Sequence, residues 1–317
     1  MNDKSHRTTA LVFPGMGPSR FADVAKFLVS DPVARDLTAD VDELLGCSLL
    51  DRYYEAADEQ SEYADVGFLI NCLAMAKWAV AEHGVRPEVC VGASFGSKAA
   101  AVWSGALSFA DAVRMTIGMA RCEQEYFSRS HGDLVTQSFA RVPADALAAV
   151  RRELDDRGEW HEISCHVDDD FYLLSLREQC LDWFTERLRD IGGLPVYTMR
   201  PVMHSSVLGA LRERVAREVV APLGFADPRL PVLSDQDGEP LRTGAQVREM
   251  LLDGYVRPVR WPAVVAALKG RGIERLCVSG PDSLFGRVEC TVSNFEVLAV
   301  NAATMRQSRR SIPATQS

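Results

Sequence analysis

The stretch Val89-Cys90-Val91-Gly92-Ala93-Ser94-Phe95-Gly96 decides how the chain is built. An apolar run from Val85 to Val91 leads into Gly-Ala-Ser-Phe-Gly, and small residues from Ser97 to Val102 follow. That order reads as strand, sharp turn, helix. A serine at such a turn is pushed out of the sheet onto a helix N-terminus, and flanking glycines let strand and helix approach closely. Backbone N–H groups at that terminus can hold an oxyanion. The pentapeptide alone fits a β-α turn without chemistry equally well, so the surrounding chain has to decide.

Upstream, Ala10-Leu11-Val12-Phe13 reads as a short strand running into Pro14-Gly15-Met16-Gly17-Pro18. A loop so rich in glycine and proline suits either a plain turn or an oxyanion donor. Helices are expected over residues 21–29 and 32–45, and the apolar stretch from Asp65 to His83 reads as a buried helix. Ser108 signals the N-cap of a helix reaching Phe127. The pattern then changes. Strands at 134–142, 163–166, 171–176 and 195–199, with helices at 143–156 and 177–190, follow the order β-α-β-β-α-β of a ferredoxin-like unit. Beyond it, helices at 208–220, 246–254 and 262–270 alternate with short strands at 231–234, 276–278 and 297–300. The body is therefore α/β with a mostly parallel sheet. The expected division is a large body of residues 1–129 and 200–304, a small domain of residues 130–199, and a polar, disordered tail over 305–317.

With 317 residues, 47% of them hydrophobic, the chain can bury a large core. A net charge of −9 argues against a nucleic-acid partner but leaves room for local basic patches. The eight cysteines lie scattered, without C-x-x-C pairs and mostly in apolar segments. They read as reduced, buried thiols rather than a disulfide frame or a metal site. No segment approaches membrane-spanning length, and the N-terminus lacks a signal-like apolar core. A monomeric cytoplasmic protein with no membrane partner is expected.

Several of these stretches together resemble one family: the malonyl-CoA:acyl-carrier-protein transacylases and the acyltransferase domains of polyketide synthases. Phe13-Pro14-Gly15-Met16-Gly17 is similar to the family's F-P-G-Q-G, and Gly92-Ala93-Ser94-Phe95-Gly96 to its G-H-S-x-G. The run from Gly105 to Ala112 continues the match, and Met203-His204-Ser205 sits where the family has its catalytic histidine. Pro258-Val259-Arg260-Trp261 and Ser279-Gly280-Pro281 match its late motifs. The resemblance runs from about residue 9 to about residue 302, with the motifs in order. It implies a hydrolase-like α/β body carrying a ferredoxin-like insertion. It further implies Ser94 as nucleophile, His204 as general base, the backbone N–H groups of Met16 and Phe95 as oxyanion hole, and a main-chain carbonyl at Gly254, where the family has glutamine, orienting His204. The reaction implied is ping-pong acyl transfer between thioesters, with no metal and no bound cofactor. The implied partner is an acyl carrier protein, or a carrier domain of a polyketide synthase, whose phosphopantetheine arm bears the acyl group.

Departures from the family cluster at the acyl pocket. The arginine that binds the malonyl carboxylate maps to Met119, and Arg121, about 200° further round a helix, is expected to point elsewhere. A glutamine maps to Asp65, the histidine before the serine to Ala93, and the glutamate after the motif to Ser97. The specificity tetrapeptide reads Pro201-Val202-Met203-His204. A malonyl carboxylate would be left unpaired in such a site, whereas a protonated amine would meet a carboxylate. The pattern resembles the variant discrete acyltransferases of macrolactam-type pathways, the VinK type, which move aminoacyl or dipeptidyl groups between carrier proteins. Met119, Asp65, Ala93 and Met203 are thus the expected pocket residues, with Asp65 alternatively a solvated or N-capping aspartate. Asp168-Asp169-Asp170 reads as a β-turn, with an amine site as the less favoured alternative. Docking an acidic carrier protein needs local positive charge, for which Arg151, Arg152, Arg157 and Arg287 are candidates, each alternatively a merely solvated side chain. Three other functions stay open: a proofreading thioester hydrolase, a conventional malonyl- or acyl-CoA transacylase, which Met119 disfavours, and a catalytically silent carrier-binding subunit, which the intact Ser94 and His204 argue against.

Overall fold

The computed structural model describes residues 7–15, 21–56, 61–281 and 284–305. Met16 and residues 306–317, for which an oxyanion role and a disordered tail are expected, lie outside the described residues. The chain begins with β1 (Thr9–Phe13), α1 (Phe21–Ser30), α2 (Pro32–Leu45), α3 (Leu49–Glu55), α4 (Glu62–His83), β2 (Pro87–Gly92), α5 (Gly96–Trp103) and α6 (Phe109–Phe127). Its middle folds as β3 (Leu134–Ala140), α7 (Ala144–Asp156), β4 (His161–His166), β5 (Tyr172–Arg177), α8 (Leu181–Asp190) and β6 (Leu194–Met199). Then come α9 (Gly209–Val215), β7 (Val232–Leu233), β8 (Pro240–Leu241), α10 (Gly244–Asp253) and β9 (Val259–Arg260). The last elements are α11 (Trp261–Gly270), β10 (Arg275–Ser279), α12 (Glu289–Val292) and β11 (Glu296–Val300).

Two sheets result. The larger has the order β11-β10-β1-β2-β7-β8, parallel throughout except for the β7–β8 pair. The smaller has the order β6-β3-β5-β4-β9. Its first four strands are antiparallel neighbours with two helices between them in sequence, which is the ferredoxin-like arrangement. The fifth strand, β9, comes from the chain beyond the insert and pairs in parallel with β4, tying the two parts together.

Strand alternation divides the core of the larger sheet. Leu11, Phe13 and Cys90 face one way, into the apolar cluster that holds α4 and α6. Ala10, Val12, Val89, Val91 and Ala93 face the other way, against Trp261, Val264 and Leu268 of α11 and Cys165 and Leu173 of the smaller sheet. A third cluster fills the small domain around Phe139 and Phe184.

Helix α4 is apolar on nearly every face because it is buried nearly all round. Ser61 caps its start by accepting from the Ala64 N–H, and Gly84, at φ 60°, closes its end. Contrary to the sequence expectation, this helix is long and apolar enough to cross a membrane. In the fold it is a core element, with 83% of its most apolar window buried. Other expectations shift in detail. Helix α3, capped by Ser48, had no strong periodic signal in its seven residues. The helix expected over 208–220 is a 3₁₀ turn (Ser206–Leu208), α9 and a π turn (Ala216–Val220) in succession. Met305, assigned to the disordered tail, is instead buried in the main core.

Candidate active site

The turn at Ser94 is built by close backbone approach. A Cβ on Gly92 would lie 2.1 Å from the carbonyl group of Gly96, and one on Gly96 would lie 2.2 Å from the Phe13 carbonyl oxygen. Only glycines let α5 start this near to β1 and β2. Ser94 has a left-handed φ of 52°, which costs a non-glycine residue about 1–2 kcal/mol. Its N–H donates to Asp235 Oδ2 at 2.6 Å, which holds it there. The Phe95 N–H, next in line at the start of α5, has no acceptor among the described residues. Of the two adjacent amides, one is therefore occupied and one is open.

His204 comes from the loop after β6, 110 residues from Ser94 in sequence, and its Nε2 lies 2.7 Å from Ser94 Oγ. It too is left-handed, with φ 56°. Burial pulls its pKa down to about 4, opposed by the nearby backbone carbonyls of Gly254 and Arg257. The ring is thus neutral at neutral pH and free to take a proton. Nδ1 is sealed from solvent and makes no well-formed hydrogen bond to either carbonyl. Gly254, expected to orient the ring, lies at the right place but shares it with Arg257.

Asp235 was not anticipated. Burial pushes its carboxyl up to about 7, while the Ser94 N–H works against that shift. Its position just past the C-terminal end of a parallel strand, β7, was the available signal. Ser97, which replaces a family glutamate, donates its hydroxyl to the Gly92 carbonyl at 2.9 Å and helps close the turn.

The expected pocket residues separate into two groups. Met119, only 2% exposed, and Met203 belong to the cluster that also receives Phe95. Phe95 meets Phe68 of α4 edge-on, with ring centres 5.3 Å apart. Arg121 points away and pairs with Glu62 at 3.1 Å. Ala93 does not join them. It is fully buried on the opposite face of the sheet, beside Val91 and Phe285, so the space expected there does not open beside Met119. The cause is strand alternation: residues 89, 91 and 93 share a face that residue 90 does not.

Asp65 lies in the first turn of α4, where Ser61 is the cap, and is only 8% exposed. It is therefore neither an N-cap nor a solvated aspartate. Its carboxylate has no hydrogen bond or ion pair among the described residues. Burial raises its pKa to about 7; Lys98 opposes the rise, and Glu123 and Glu62 add to it. Glu123 stands one turn beyond Met119 on α6, the same helix face. It accepts a hydrogen bond from the Tyr255 hydroxyl at 2.5 Å. Lys98 Nζ sits 4.0 Å over the Phe95 ring, one turn into α5 from Ser94. Glu123, Tyr255 and Lys98 were missed in the sequence, although Glu123 could have been found from its spacing to Met119.

The basic candidates remain dispersed on the surface. Arg152 and Arg157 are exposed at the end of α7, Arg157 lying 4.5 Å over the Trp183 ring. Arg151 is half-buried, its Nε sealed without a hydrogen bond. Arg287 is exposed on the large body, between β10 and α12. Asp168 uses its carboxylate on the N–H groups of Asp169 and Cys290, a turn-stabilising role.

Comparison with known proteins agrees with this architecture. Residues 138–199 match the family model for the VinK acyltransferase small domain. The chain is 24% identical over 300 residues to the malonyl CoA-acyl carrier protein transacylase of Bacillus subtilis, covering 92% of this chain and 93% of that one. The solved structure of FabD from Acinetobacter baumannii superposes with a TM-score of 0.82 at 18% identity, over 96% of this chain and 98% of that chain. A malonyl-transacylase solved in complex with its type II polyketide synthase acyl-carrier protein gives the same TM-score, 0.82, at 19% identity, over 96% and 100% of the two chains. The two structural likenesses establish a hydrolase-like core with a ferredoxin-like small domain. The ordered motifs, the small-domain match and the 24% identical relative make the chain similar to the malonyl-CoA:acyl-carrier-protein transacylase and polyketide synthase acyltransferase family.

Proposed function

We propose that this acyltransferase works on carrier-protein thioesters through Ser94 and His204, and that its acyl group carries an amine rather than a malonyl carboxylate. The observation that carries the first part is the 2.7 Å contact between Ser94 Oγ and His204 Nε2 beside the open Phe95 N–H. Ser94 Oγ attacks the thioester carbonyl carbon while His204 Nε2 takes the hydroxyl proton. The carbonyl oxygen becomes an oxyanion, met by the Phe95 N–H at the start of α5. Collapse breaks the C–S bond, and the departing thiol receives the proton from His204. A second thiol, on the phosphopantetheine arm of another carrier protein, reverses these steps and removes the acyl group. Every step is carried by backbone amides, one hydroxyl and one imidazole.

The second part rests on Met119 and Asp65. An apolar side chain stands where the resemblance puts a malonyl-binding arginine, and an almost buried carboxylate without a partner among the described residues stands in the first turn of α4. An ammonium would supply the missing countercharge and draw the Asp65 pKa back down. Names of relatives favour malonyl as the second reading. Intact-mass spectrometry of the enzyme after incubation with a panel of acyl-carrier-protein thioesters separates the two. The expected adduct is that of an aminoacyl or peptidyl group. A malonyl adduct formed at least as fast would overturn the amine assignment.

A further inference from the structure

The loop that carries His204 is held from the small domain. Glu162, on β4 opposite Ser175 of β5, reaches out of the small sheet toward the two residues that follow the histidine. Its Oε2 accepts from the Ser205 hydroxyl at 2.7 Å, the Ser206 N–H at 2.9 Å and the Ser206 hydroxyl at 3.2 Å. Ser205 is fully buried, and its own N–H donates to the Tyr255 carbonyl at 2.9 Å. As the residue before the 3₁₀ turn Ser206–Leu208, Ser205 gives that turn no side-chain cap, and the Glu162 carboxylate supplies the acceptor in its place.

This clamp lies next to a strained residue. His204 holds φ 56°, a conformation an L-residue keeps only where its surroundings over-determine it. Its ring nitrogen Nδ1 makes no well-formed hydrogen bond among the described residues. The ring is therefore aimed at Ser94 by the backbone on either side more than by a partner on the ring itself. On the C-terminal side, that backbone is fixed by Glu162 and Tyr255.

We propose that Glu162 is the positioning residue of His204, holding its imidazole within hydrogen-bond reach of Ser94 from a different domain. The inference rests on His204 being the general base. Of the three donors to Glu162 Oε2, the Ser205 hydroxyl is buried and is left unpaired when that oxygen is removed, and a displacement of the base of about 1 Å can cost on the order of 10²-fold in rate.

The test follows acylation of Ser94 by p-nitrophenyl butyrate, a small neutral ester, in four proteins: the parent, Glu162→Ala, His204→Ala and the double variant. Glu162→Ala should lower the saturating acylation rate by about 10-fold or more, with the half-saturating concentration changed less than about twofold. Glu162→Gln, which keeps an acceptor oxygen, should recover most of that loss. In the His204→Ala background, Glu162→Ala should add less than about twofold, because there is no base left to position. An equal loss in both backgrounds, or a loss confined to half-saturation, would overturn the proposal. No loss in His204→Ala alone would instead remove the general-base reading beneath it. Should Glu162→Ala fail to fold, Ser205→Ala breaks the 2.7 Å bond from the other side and serves in the same comparison.

Discussion

The turn at Ser94 and the pocket wall beyond it are made in different ways, although Lys98 of the wall follows Ser94 by one helical turn. The turn is a matter of backbone. Gly92 and Gly96 admit contacts that no side chain would, the Ser94 N–H is held by Asp235, and the Phe95 N–H is left open. The wall is a matter of side-chain charge. Met119 stands where the resemblance puts an arginine, Glu123 one turn further along, Asp65 across on α4, and Lys98 as a cation whose charge opposes the burial of Asp65. Backbone geometry fixes the reaction, because every thioester presents the same carbonyl. The side chains on the wall can change without disturbing that chemistry, so under the proposed function the choice of acyl group resides there.

The largest effect should come from the turn. His204→Ala should slow acylation by on the order of 10² or more for every donor, as for loss of a general base, with the fold intact by circular dichroism. A donor that escapes this loss would break the division between shared chemistry and selective wall.

Next comes Asp65→Asn. A charge-assisted hydrogen bond to an ammonium contributes about 1.5–3 kcal/mol, so kcat/KM for an amine-bearing donor should fall by roughly 10- to 150-fold. A neutral donor of similar size should be almost unaffected. The same variant should be more stable than the parent at pH 8. Folding raises the Asp65 pKa from 3.8 to about 7, so the stability the proton gives is present below the unfolded value and lost as pH rises through about 7. Equal loss with both donors would make Asp65 structural.

A smaller and opposite effect is expected from Met119→Arg. It should raise acylation by malonyl thioester by roughly tenfold and depress it with the amine-bearing donor, a change of one charge-assisted contact. An unchanged malonyl rate would take Met119 out of the acyl pocket.

The smallest effect is in the pH profile. With His204 near 4, its own titration should give a neutral donor no inflection between pH 6 and 8, and any inflection from Asp235 near 7 should be common to both donors. Ionisation of Asp65 through about 7 should raise the relative kcat/KM of the amine-bearing donor several-fold over that range, while its amine stays protonated. Identical profiles for the two donors would separate Asp65 from the ligand.

How much of this was legible in the sequence follows the same division. The Ser94 turn could be read directly, because glycine sterics act between residues four apart. The ferredoxin-like insert could be read from element order, and β6-β3-β5-β4 pairs accordingly. His204 could not be found by spacing, since it meets Ser94 across 110 residues; the motif resemblance supplied it. Ala93 was placed in the pocket by homologous position, while strand alternation puts it on the other face. Asp235 is signalled only by its place just past β7, and Glu162 carries no local signal of its role. Both act through contacts made only when β7 and β4 are brought beside Ser94 and the His204 loop. Asp65 could be named from the sequence, but its isolation from partners among the described residues is a property of packing alone.

The central claim is that Ser94 receives an acyl group from one carrier-protein thioester and gives it to another. Peptide-level mass spectrometry of the enzyme quenched after mixing with aminoacyl-carrier protein tests it most directly. The acyl mass should sit on the peptide containing Ser94, be absent from Ser94→Ala, and disappear when holo carrier protein is added, reappearing on that protein's phosphopantetheine arm. An adduct that water discharges as fast as holo carrier protein does, or no adduct on Ser94 at all, would contradict it.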